Sequence, residues 1–245
     1  MSSAPPDLAG RILRHERLIV LSGVALLALI GWWYIVTGAG MAQEMRAMAA
    51  PPFGAIVLMW WLMMVAMMLP AASPAILLYA RVREMRGGDS AIAQSWVFLA
   101  GYLAVWLLFS IAAALAQRLV AGPSMGLDNR MAEAAVLIVA GAYQLSPLKL
   151  GCLARCRSPA QFLSRHWRPG WDGAVRLGVL HGADCVGCCW MLMALLFVGG
   201  VMNLLWIVGL TVLVTIEKLV PRGEWIGRAS GVALIAWGAA LLLFR

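Results

Sequence analysis

The chain has 245 residues, of which 63% are hydrophobic and only 12% charged. Soluble domains are nearer half apolar and a quarter charged, so this composition excludes an ordinary soluble enzyme or binding module and predicts an all-α, polytopic transmembrane helix bundle. The net charge of +8 would suggest nucleic acid on a soluble protein, but here the placement of the cations accounts for it and no nucleic-acid partner is expected.

Seven apolar runs approach the roughly 20 residues that a spanning helix needs. They are Leu18–Thr37, Phe53–Tyr79, Ile92–Ala116, Met131–Leu148, Ala174–Val198, Val201–Leu219 and Ile226–Phe244. No linker, low-complexity tract or repeat divides them, so residues 1–245 read as a single domain. Arg11, Arg14 and Arg17 precede the first run, and Arg81, Arg83 and Arg86 follow the second. Lys149, Arg155, Arg157, Arg165, Arg168 and Arg176 lie between the fourth and fifth or at their facing ends, and Lys218, Arg222 and Arg228 likewise between the sixth and seventh. Only Arg46, Arg118, Arg130 and Arg245 lie elsewhere. Cytoplasmic loops carry excess Lys and Arg, which predicts a multi-pass membrane protein with the N-terminus inside and the C-terminus outside.

The first run follows arginines and precedes small residues, as a signal peptide would. It is long, however, and ends in Trp32, Trp33 and Tyr34, which suits a retained interfacial anchor. The second run reads LMWWLMMVAMMLP. Met63, Met64, Met67 and Met68, with Met59, fall on two adjacent rows of one helical face. Thioether sulfur is a soft, neutral ligand that suits Cu(I) in lipid, although methionine is also a common gap-filler. Pro70 and Pro74 are expected to break or kink this helix.

After the fourth run come Cys152 and Cys156, four residues apart among basic residues on the predicted cytoplasmic side. On a short helix they share a face, and neighbouring cations favour their thiolates. They are candidates to receive or release a soft ion at the mouth of the bundle. The fifth run contains LHGADCVGCCW. His181, Cys185 and Cys188 stack along one helical stripe, with Asp184 beside Cys185 and Cys189 widening the face. Thiolate and imidazole favour Cu(I) and Zn(II), and polar groups inside a span usually mark a site or pathway. Copper as Cu(I) is the expected metal and zinc the second candidate. The fifth and sixth runs meet at Gly199-Gly200, which predicts a tight hairpin. Glu217 lies near the inner end of the sixth run at a depth close to that of His181. It is read either as a carboxylate orienting the imidazole or as the partner of an interfacial cation, with Lys218 snorkelling to water.

Three blocks carry a family resemblance: WWLMMVAMMLPAASP, GAYQLSPLKLGCLARCRSPAQFL and GVLHGADCVGCCWMLMALLFVGGVMNLLWIVGLTVLVTIEK. With these, the sequence resembles a bacterial family of predicted metal-binding integral membrane proteins, parts of which are associated with copper supply to secreted or periplasmic copper enzymes. The resemblance runs with gaps from Met59 to Lys218 and implies copper chaperoning, with a copper enzyme or transporter as protein partner. Three other readings stay open. A passive metal transporter would use the same groups, since no P-loop or ATPase aspartate supplies energy. A membrane thiol–disulfide oxidoreductase would use the CxxC of Cys185 and Cys188, but it needs a shuttle pair outside, and Gly38–Pro52 and Gln117–Arg130 contain no cysteine. An assembly subunit would use its cysteines only for packing.

Overall fold

A computed structural model describes the backbone of residues 6–47, 51–86, 91–120 and 126–243, and the side chains of the same segments from residue 18, leaving out 39–47. The side chains of Arg11, Arg14, Arg17, Arg46 and Arg245, and residue Phe244, lie outside the described residues. Among the described residues there are ten helices and no strand: α1 (Pro6–Ala47), α2 (Phe53–Met85), α3 (Ala91–Val120), α4 (Arg130–Gln144), α5 (Pro147–Arg157), α6 (Pro159–His166), α7 (Gly170–Ala194), α8 (Leu196–Gly199), α9 (Leu204–Leu219) and α10 (Gly223–Leu243). Of the expected outer loops, α1 takes up the first as far as Ala47 and α3 the second as far as Val120. Residues 48–50 and 121–125 of those loops lie outside the described residues.

Five stretches are long and apolar enough to cross a membrane: Leu18–Gly38 within α1, α2, α3, Gly170–Gly199 through α7 and α8, and α10. Helices α4 and α5 pass together as a sixth, but with a bend of 61° between them. The expected single helix Met131–Leu148 is thus interrupted between Gln144 and Pro147. Proline disfavours helical geometry in the residue before it, and Ser146 is extended at φ −72° and ψ 146°. Its hydroxyl instead caps α5 by accepting Lys149 N–H at 3.2 Å. Helix α9 covers most of the expected sixth span, yet its 16 residues reach only about 24 Å. Length and composition therefore pick out five spans among the described residues, or six with the bent pair.

Pro70 and Pro74 do not break α2, which is continuous from Phe53 to Met85. Pro74 cannot bond the carbonyl of Pro70, and Ser73 Oγ donates to that oxygen at 2.8 Å, so the freed acceptor is satisfied inside the helix. At Gly199-Gly200 the chain turns, with Gly200 at φ 88° and Asn203 N–H donating to its carbonyl at 3.0 Å. Trp206 packs over Gly199, and its indole Nε1 donates to Leu195 O at 2.6 Å.

Helix α7 is the central element. It packs most closely against α3, carries α5 on another side and touches α9, while α2 bridges α3 and α9. In lipid there is no hydrophobic drive between helices, so close approach relies on small residues. Gly178 provides it: an added Cβ would collide with the Phe98 carbonyl on α3. We expect Gly178→Val to abolish a monodisperse detergent-extracted peak in fluorescence-detected size exclusion. Gly209→Val serves as the control, because a Cβ there meets nothing within 4 Å.

Candidate metal centre

The interior where α2, α3, α5, α7 and α9 meet is rich in sulfur. Cys185, Cys188 and Cys189 are all buried, as are Met63, Met64, Met67 and Met68. All five cysteines of the chain are free thiols. Cys188 and Cys189 turn back along their own helix, with Sγ at 3.1 Å and 2.9 Å from the Cys185 carbonyl. This is the local bonding that serine and threonine also use in helices.

The 61° bend between α4 and α5 brings the second cysteine pair onto this helix. Gly187 makes the approach possible, because a Cβ there would lie 2.8 Å from Cys152 Sγ. Tyr143 OH donates to the Gly187 carbonyl and helps to hold the α4–α5 break against α7. Cys156 Sγ then lies 3.9 Å from Cys188 Sγ. Cys152, packed against Gly187 of α7, accepts from Arg155 Nη2 at 3.4 Å. The two thiols of CxxxC do not form an isolated pair at the mouth: one contacts α7 sulfur and the other a guanidinium.

From the opposite side, α2 contributes Met68, whose Sδ is 3.8 Å from Cys189 Sγ. Met63, Met64 and Met67 lie in the same apolar core. Cys185 has two further neighbours. Tyr102 OH on α3 is 3.1 Å from its Sγ, and Lys218 Nζ on α9 donates to it at 2.9 Å.

Three expected ligands are placed differently. Asp184 accepts from Arg155 Nε at 2.7 Å and is engaged at the α5–α7 contact. Glu217 does not reach His181: it pairs with Lys149 Nζ at 2.6 Å and accepts from Gln144 Nε2 at 2.8 Å. The cation reading of Glu217 holds, but the partner comes from α5 and Lys218 turns inward rather than to water. His181 sits among aromatic rings, with centroids at 5.4 Å for Phe162, 5.8 Å for Tyr102 and 6.1 Å for Phe98. Its Nδ1 is buried with no hydrogen-bond partner among the described residues.

Among the described residues, no three His, Cys, Asp or Glu side chains form a group that would hold a metal ion. Residues three or four apart on one helix can supply at most a pair of ligands to one ion, so further donors have to come from neighbouring helices. The contacts are instead sulfur pairs between helices, Cys156 with Cys188 and Cys189 with Met68. This donor set fits a soft metal ion better than a hard one, and the orphaned His181 Nδ1 is a further candidate donor.

Lys218, Tyr102 and Gln144 were not picked out by the sequence as parts of this interior. The ionisable Lys218 inside an apolar run was a usable signal. Nothing local to Tyr102 or Gln144 announces their contacts across 83 and 73 residues.

Helices long and apolar enough to cross a membrane surround an interior lined by cysteine and methionine sulfur, an arrangement that fits a membrane protein associated with a soft metal. The chain belongs to the family described as PpoB2, a copper chaperone, which matches residues 57–241. Neither the curated proteins nor the solved structures contain a match.

Proposed function

We propose that this protein carries Cu(I) as cargo within the membrane and hands it to a partner copper protein. The observation that carries the reading is the pair of interhelical sulfur contacts, Cys156 to Cys188 at 3.9 Å and Cys189 to Met68 at 3.8 Å. Membership of a copper chaperone family supports copper as the cargo. Cys185 lies one turn before Cys188 and Cys189 on α7, and its carbonyl receives the two thiols; in this reading the sulfurs are consecutive stations from α5 to α2. Two-donor stations suit transfer, because each leaves the ion open to attack by the next sulfur. His181 is a reserve donor one turn away, and Cys152 and Asp184 flank the Arg155 end of the row.

In this reading the protein crosses the bacterial inner membrane seven times, with its N-terminus inside. Helix α9 and the bent α4–α5 pair make two short crossings. The Gly199-Gly200 hairpin and the packing of α10 along α4 support that arrangement, since α9 has to return the chain between α7 and α10.

The test is anaerobic metal analysis of the purified protein in detergent. Wild type is expected to retain copper through desalting. Met68→Leu, close to volume-conserving, is expected to lose retention by roughly tenfold, the scale of one weakened soft contact. Met63→Leu with Met67→Leu is expected to retain it, since among the described residues the methionine sulfur paired with a cysteine thiol is that of Met68. A copper-free wild type, or full retention in Met68→Leu, would remove the methionine station.

A further inference from the structure

Lys218 closes α9, where the helix dipole favours an ammonium, yet its side chain turns into the protein. The residue is 8% exposed. Its Nζ contacts Cys185 Sγ at 2.9 Å and Met68 Sδ at 3.9 Å. The adjacent Glu217 is taken by Lys149, and Asp184, next to Cys185, is taken by Arg155. Helix α3 contributes only the neutral phenol of Tyr102 to this corner. Among the described residues, Lys218 therefore has sulfur neighbours and no carboxylate. A buried ammonium is costly unless charge compensates it, and here thiolates are the only groups near enough to do so.

We propose that Lys218 selects the charge of the cargo, admitting monovalent Cu(I) beside Cys185 and disfavouring divalent ions such as Zn(II). This rests on the reading of Cys185 as part of the metal path. A metal bound to a thiolate lies about 2.3 Å from sulfur. With Nζ at 2.9 Å from the same sulfur, the ion sits no farther than about 5 Å from the ammonium. Repulsion at that range is large away from bulk water, and it doubles for a doubly charged ion. The attraction between Lys218 and the thiolates is the same for either ion on the same sulfurs, so it cancels from the comparison. Thiolate and imidazole accept both Cu(I) and Zn(II). The fixed positive charge supplies a discrimination that ligand softness leaves open.

The experiment loads the full-length protein anaerobically with Cu(I) against rising Zn(II) and counts both metals after desalting. Wild type is expected to keep Cu(I). Lys218→Met is expected to shift the preference towards Zn(II) by roughly a hundredfold. Lys218→Arg, which keeps the charge, is expected to keep the preference. So is Tyr102→Phe, which removes the 3.1 Å contact to Cys185 and leaves the charge unchanged. An unchanged preference in Lys218→Met, with Cu(I) still held through Cys185, overturns the inference and leaves the site standing. A wild type that holds no Cu(I) through Cys185 overturns the site and the inference with it. If Lys218→Met fails to insert, Lys218→Gln and the wild type decide, and Zn(II) in the wild-type site at equal metal concentrations overturns the proposal.

Discussion

Serine at both Cys185 and Cys188 is expected to remove copper from the purified protein while leaving it inserted and monodisperse. Serine keeps the size and the back-bonding to helix carbonyls but replaces soft sulfur with hard oxygen, which Cu(I) binds poorly. Losing both donors should weaken binding by more than a hundredfold, about 3 kcal/mol at 1.4 kcal/mol per decade. The loss has a structural reason. Cys188 is the α7 partner of Cys156, and Cys185 is the thiol on which Tyr102 and Lys218 converge. Asp184→Asn is the contrasting variant. Because Asp184 is engaged by Arg155, its neutralisation should leave copper content near wild type. Anaerobic metal analysis with size exclusion reads both variants. Wild-type copper in the double serine protein would sink the sulfur site.

The helical, membrane-type character was legible directly, because an apolar run of about 20 residues with few charges matches the thickness of a bilayer core. The helical stripe of Cys185, Cys188 and Cys189 was legible too, since it depends only on local periodicity. What stayed hidden depends on the return of one segment onto another. Ser146-Pro147 has the form of a helix start, yet the apolar pattern carries the fourth span through it. As a result, the contact of Cys156 with Cys188 was out of reach. Glu217 and Lys218 show the same limit at adjacent positions. Intramembrane ionisable groups can pair, snorkel or line a cavity, and these two neighbours point to different partners on different helices. Nothing in VTIEK says that Glu217 pairs with a lysine 68 residues away or that Lys218 meets a thiol.

That buried pair gives the second large effect. Lys149 Nζ and Glu217 Oε2 are 2.6 Å apart and almost wholly shielded from solvent, with Gln144 donating to the other carboxylate oxygen. Removing one partner leaves an uncompensated buried charge, which typically costs about 3–5 kcal/mol. Lys149→Met and Glu217→Gln should each lower thermal stability in detergent by a large and similar amount. The double variant removes both charges and should recover most of the loss, so the two effects are strongly non-additive. Additive losses in a thermal or steric-trapping assay would show that the contact is incidental. The pair also ties α5 to α9, and Lys218 follows Glu217 directly in the chain. Breaking it should therefore disturb the placement of the Lys218 ammonium beside Cys185. The single variants are expected to lose copper retention along with stability, and the double variant to regain both. If stability returned in the double variant without copper, Lys149 and Glu217 would matter to the metal path in their own right, not only as the clamp between α5 and α9.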